Sequence, residues 1–188
     1  MIQQSKYRLL GVDPGTNILG YGIIEVEHRT IRLVDLGVLT MHHLEEQPDK
    51  LKKIFEELQH IILRFRPFEM AIEAPFYSKN IQSMLKLGRA QGVAMAAAIT
   101  NGVSITEYSP KKIKQSVTGN GNASKEQVAA MLETILGTKL QETYLDATDA
   151  LATAICHYYQ SSSITGGNKK YKDWASFLKE HPSRTPGS

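Results

Sequence analysis

The chain has 188 residues, 22 Lys plus Arg against 19 Asp plus Glu, and a net charge of +3, so it is expected to form one domain of ordinary core size in which the placement of charge says more than its sum. A single cysteine, Cys156, excludes an internal disulfide and points to a reducing compartment, with the cytoplasm as the expected location. The first residues, MIQQSKYRLLGVD, hold no apolar stretch long enough for a signal peptide, and no run approaches a membrane span, so a soluble protein without a membrane partner is expected.

In chain order, YRLLGVD is a short apolar run ending at Asp13; the turn PGTN follows, then GYGIIEVE and IRLVDLGVLTM, which read as three strands in a meander. From about Asp49 to Arg66, Leu51, Ile54, Phe55, Leu58, Ile61 and Ile62 fall at helical spacing, and Pro67 stops the pattern. The strand MAIEA then delivers Glu73, an Ala/Gly-rich helix spans about Asn80 to Ile99, and VSITEY is a further strand. A basic turn or short helix (PKKIKQSV), a glycine loop (TGNGNAS), a helix from about Lys125 to Leu136 and a last helix starting near Asp146 complete the domain. This order predicts an α/β layer fold whose mixed five-stranded sheet is partly antiparallel and flanked by helices. From Ser161 the composition turns Ser/Gly/Lys-rich, so the domain is expected over residues 1–160 and a flexible C-terminal tail over 161–188, with Trp174, Phe177 and Leu178 spaced as in a short helix.

Four carboxylates carry the chemistry: Asp13, Glu73, Asp146 and Asp149. Asp13 and Glu73 end apolar strands, and Asp146 and Asp149 lie three apart on a helix and so share a face. Each has a bland alternative: an Asx turn for Asp13, a solvated strand end for Glu73, helix-capping charge for the pair. Those alternatives must explain the positions separately, whereas a metal centre explains them together, because clustered carboxylates repel unless cations lie between them. Oxygen-only ligands suit Mg²⁺, with Mn²⁺ able to substitute, and two ions bridged by a carboxylate suit hydrolysis of a phosphodiester. The alanines at 147, 150, 152 and 154 would let the last helix approach the sheet closely. The histidines are scattered; only His157, two turns beyond Asp149 on the same helix, could approach the site, and a packing or surface role is the expectation.

Lys111, Lys112, Lys114 and Lys125 flank the glycine loop with no acidic residue among them, a pattern that suits phosphate contacts. After Glu73, the segment PFYSKN places Phe76, Tyr77 and Lys79 beside a proposed metal ligand, where the aromatics could stack on or wedge between bases and Lys79 could meet the backbone.

Taken together, LGVDPGTNILGYGII, AIEAPFYSKNIQSMLKLGRAQGVAMAAA, KKIKQSVTGNGNASKEQV and DATDALATAICH resemble, in order and spacing, the RuvC family of Holliday-junction resolvases over about residues 8 to 158. The resemblance implies a ribonuclease H-like fold. It places Asp13, Glu73, Asp146 and Asp149 on four metal-binding catalytic positions, Phe76 on an aromatic that disturbs base stacking, and Lys114 and Lys125 on basic residues that contact DNA or assist catalysis. It further implies a homodimer, joined largely through the Ala/Gly-rich helix, that cuts four-way junction DNA by paired symmetric nicks with 5′-phosphate and 3′-hydroxyl ends. Partnership with the RuvA and RuvB branch-migration machinery, in recombination and DNA repair, follows from the same resemblance.

Three other readings compete. A ribonuclease H-like nuclease with another substrate fits the acidic set equally, but the basic glycine loop and the Phe76 segment favour the junction enzyme. An actin-like nucleotide-binding protein needs a second phosphate loop and a repeated domain, for which the chain has no room. A junction-binding protein without catalysis is disfavoured by the presence of all four carboxylates.

Overall fold

The apolar run around Leu9, Leu10 and Val12, all fully buried, forms the central strand of the sheet, covered on both faces as such a continuous run requires. The computed structural model describes residues 6–75, 80–140 and 145–165, without the side chains of 145, 146 and 163–165. The strands are β1 (Lys6–Asp13), β2 (Ile18–Glu27), β3 (Thr30–Thr40), β4 (Glu69–Glu73) and β5 (Ser104–Tyr108). The helices are α1 (Gln47–Phe65), α2 (Ile81–Ile99), α3 (Pro110–Thr118), α4 (Lys125–Leu136) and α5 (Leu145–Thr165). The sheet order is β3-β2-β1-β4-β5, with β1, β2 and β3 antiparallel neighbours and β4 and β5 parallel additions to β1. The mixed five-stranded sheet expected from the sequence is therefore present.

Local chemistry sets the boundaries. His28 and Arg29, at φ 47° and 67°, make the tight left-handed turn of the β2–β3 hairpin. Arg66 closes α1 in the same backbone region, and the Pro67 that follows cannot continue a helix. Ser109 caps α3 by accepting from the Lys112 amide. Ser124 and Gln127 form a reciprocal capping box on α4.

Strand alternation sends Leu10, Val12, Met70 and Ile72 to one face, where α1 and α2 cover them with Ile54, Leu58, Ala94 and Ala97. Leu9, Ile24 and Val26 face the other side, under α3, α4 and α5. On that face Gly11 and Gly22 are register partners. A Cβ on Gly11 would lie 2.7 Å from the Ala154 amide nitrogen and 2.9 Å from its Cβ, and one on Gly22 would lie 2.9 Å from Leu151 Cα. The α5 main chain thus rests directly on the main chain of β1 and β2. The close approach expected from the alanines is present, but its other half, the glycine pair in the strands, was not singled out in the sequence.

One boundary is corrected. Helix α5 continues to Thr165, past the Ser161 at which the linker was expected to begin. Ser161 remains helical with its hydroxyl donating back to the Tyr158 carbonyl at 3.1 Å, an internal bond that composition alone does not reveal. The proposed Trp174 helix lies outside the described residues.

Candidate active site

Parallel pairing of β1 with β4, with Val12 beside Ile72, brings the two strand ends together, so Asp13 and Glu73 emerge at the same rim. Their position on alternate residues from Leu9 and Ala71 turns both toward α5. Helix α5 starts above that rim, and its first turns carry Asp146 and Asp149; the Asp146 side chain lies outside the description. Asp13, Glu73 and Asp149 line one cavity of about 300 Å³, walled by Lys114 and Lys125 and floored by Ile113, Val128 and Ala152. Three of the four carboxylates singled out in the sequence are thus in one place.

The electrostatics are those of crowded anions. Burial, then the Asp13 and Asp149 carboxylates, push the Glu73 pKa up to about 8, while Lys125 and Lys114 oppose the rise. Lys125 meets Asp149 at 2.7 Å, with side chains 59% and 22% exposed. A solvent-facing lysine therefore neutralises part of the cluster. Among the described residues no three His, Cys, Asp or Glu side chains converge tightly enough to grip an ion on their own. The donor set nevertheless fits a hard divalent cation: it is all oxygen, its members disfavour one another's charge, and a cation would relieve both the repulsion and the raised proton affinity of Glu73.

The basic residues divide. Lys114 and Lys125 border the cavity, whereas Lys111 and Lys112 are exposed on α3 and line no part of it. Gln115 was missed in the sequence: its amide donates to the Gly119 carbonyl at 2.6 Å and its oxygen accepts from the Gly121 amide at 3.0 Å. This clamp shapes the glycine loop between α3 and α4. Phe76, Tyr77 and Lys79 lie outside the described residues. Of the packing and surface roles open to His157, the structure shows the buried one, and with it two bonds, to Glu69 and to Tyr108. Neither partner had a motif to reveal it.

Comparison with known proteins extends the picture. The family model described as crossover junction endodeoxyribonuclease RuvC matches residues 9–157. The crossover junction endodeoxyribonuclease RuvC of Cytophaga hutchinsonii is 54% identical over 176 residues, covering 94% of this chain and 86% of that protein. Its counterpart in Porphyromonas gingivalis is 49% identical over 180 residues, covering 94% and 95%. Thermus thermophilus RuvC superposes with a TM-score of 0.75 at 31% identity, over 84% of this chain and 97% of that one. The same protein in complex with a Holliday junction substrate gives 0.74 at 29% identity, over 84% and 96%. The yeast mitochondrial Holliday junction resolvase Ydc2 shares the fold at a TM-score of 0.67 and 13% identity. The architecture is thus ribonuclease H-like, as the sequence motifs implied. With a family match over most of its length and close relatives of one description, the chain belongs to the RuvC family of crossover junction endodeoxyribonucleases.

Proposed function

We propose that this chain is a metal-dependent endonuclease that resolves four-way DNA junctions by paired symmetric nicks. The observation that carries the reading is the single cavity in which Asp13, Glu73 and Asp149 face Lys114 and Lys125, in a member of this family. Asp13, Glu73, Asp146 and Asp149 are the residues assigned to hold the metal, two Mg²⁺ ions with Mn²⁺ as a substitute. When bound, such ions supply an activated water and charge stabilisation at the scissile phosphate. The protein contributes the rest. Glu73, which without a cation stays protonated to about pH 8, releases its proton when a cation is bound, so metal affinity rises with pH below that value. Lys114 and Lys125 offer ammonium groups that seat and orient the phosphodiester beside the carboxylates. Hydrolysis leaving a 5′-phosphate and a 3′-hydroxyl breaks the bond from phosphorus to the 3′ oxygen, and the buried Ile113, Val128 and Ala152 floor limits where water can approach.

Lys111, Lys112 and Lys79 are the further residues assigned to DNA contact, and Phe76 and Tyr77 those assigned to the junction bases. Two cuts need two sites, and a homodimer through α2 supplies them. On that helix Ile81 and Leu85 are 70% and 51% exposed. Gly88 and Gly92 follow at helical spacing with nothing within 4 Å of an added Cβ. Exposed glycines weaken a helix by about 0.5–1 kcal/mol each relative to alanine, which close approach of a second backbone would offset. A monomer in sedimentation velocity at micromolar concentration would remove the dimer reading. RuvA and RuvB are the expected partners and the cytoplasm the expected compartment; among the described residues no helix is long and apolar enough to cross a membrane.

The test is cleavage of a synthetic four-way junction and a matched linear duplex, each with Mg²⁺ and with EDTA. Paired ligatable nicks on the junction alone, lost in EDTA, are expected. Asp13→Asn should abolish cleavage and leave junction binding within a few-fold, since the lysines supply the affinity. Cutting of linear or RNA-containing strands instead would make the chain a nuclease of other specificity.

A further inference from the structure

Strand β4 carries a carboxylate at each end of the face turned to α5, Glu69 and Glu73, with Ala71 between them. Four strand residues span about 13 Å. On α5, Asp149 and His157 are eight residues apart, which a helix covers in about 12 Å. The two spacings match, so helix and strand meet at two levels. At the upper level Asp149 and Glu73 share the cavity, where ionisation of Glu73 would set two like charges against each other. At the lower level His157 Nε2 lies 2.7 Å from Glu69 Oε2, and His157 is 4% exposed.

The lower contact is itself held from the side. Tyr108 is the register partner of Glu73, and the Ala74 amide donates to its carbonyl at 2.8 Å. Its hydroxyl reaches back to His157 Nδ1 at 2.9 Å. Burial raises the Tyr108 pKa to about 12, so the phenol keeps its proton and can donate it to Nδ1. With the phenol donating there, the ring hydrogen sits on Nε2, facing the Glu69 carboxylate. Among the described residues none of the three lines the cavity, so they act on it through β4, β5 and α5.

We propose that Glu69, His157 and Tyr108 form a positioning clamp that fixes α5 along and against β4, holding Asp149 beside Glu73 where a cation is to bind. The inference rests on the metal-site reading given above. It assigns positioning roles to residues that touch neither substrate nor metal.

The test uses full-length His157→Leu, which removes both bonds; Glu69→Ala, which removes one from a partly exposed site; and His157→Gln, which keeps an N–H donor near the place of Nε2. Mn²⁺ binding is followed by loss of the free-ion EPR signal, alongside single-turnover junction cleavage, junction binding in EDTA and melting temperature. His157→Leu and Glu69→Ala should weaken Mn²⁺ binding and slow cleavage by about tenfold, as loss of outer-shell support typically does, with junction affinity within about twofold. His157→Gln should recover most of the loss. Unchanged Mn²⁺ affinity in Glu69→Ala overturns the clamp, as does a defect that tracks melting temperature and is not rescued by His157→Gln. Should the wild type bind Mn²⁺ but cut no junction, the nuclease reading fails while the Mn²⁺ series still decides the clamp.

Discussion

Glu73→Gln should stabilise the metal-free protein above neutral pH while abolishing cleavage. Burial, followed by the charges of Asp13 and Asp149, raises the Glu73 pKa from 4.5 to about 8 in the folded chain. Between those values the folded state keeps a proton that the unfolded state has released, so stability falls as pH rises through the window. Below it both states are protonated and no difference exists; above it the deficit is complete. At ~1.4 kcal/mol per pH unit the ceiling is ~5 kcal/mol, and solvent entering an open cavity brings the expected deficit to ~2–3 kcal/mol. Glutamine has the same shape and never ionises, so its variant lacks this loss. Urea unfolding in EDTA from about pH 5 to about pH 9 measures it directly: the difference between variant and wild type should open across the window and then level off. In saturating Mg²⁺ the advantage should shrink or reverse, because the variant has lost an anionic ligand. Parallel pH profiles for the two proteins in EDTA would refute the argument that these carboxylates are crowded.

Lys114→Ala should weaken junction binding and flatten the dependence of log K on log salt by about 0.9 if the side chain meets one phosphate. An unchanged salt slope in a filter-binding or fluorescence titration would place it off the backbone. Gly11→Ala should destabilise the domain by ~1–3 kcal/mol, because the new methyl must push α5 outward, and cleavage should fall more than junction binding. Unfolding curves and single-turnover assays on that variant read both effects, and wild-type values in each would show that α5 has slack.

Much of the fold was legible because each element carries its own signal. The helix read as Lys125 to Leu136 has those bounds, since Ser124 and Gln127 make a capping box and Gly137 supplies a left-handed stop at φ 64°. Two boundaries moved: α1 begins at Gln47, with Pro48 in its first turn, and α5 runs to Thr165 through residues whose composition suggests a linker. At the site, strand ends announced Asp13 and Glu73, and spacing announced Asp149. Glu69 and Tyr108 were invisible, because their partner His157 is 88 and 49 residues away along the chain. Gln115 was equally silent, since a side chain that bonds loop backbone leaves no periodic trace.

The glycine seat under α5 has a consequence for how such a protein can change. Where main chain lies on main chain, at Gly11 and Gly22, no rotamer can absorb a substitution. On the opposite face, Leu58, Ile62, Met70 and Ile72 interlock through flexible side chains that can be exchanged in compensating pairs. The two sides of one sheet therefore differ in mutational freedom: drift can rewrite the layer beneath α1 and α2 while the rim that carries Asp13 and Glu73 keeps its dimensions. A laboratory selection for altered specificity should accordingly accumulate its changes in the lysine-bearing elements α3 and α4, and leave the β1–β2–α5 seam as it found it.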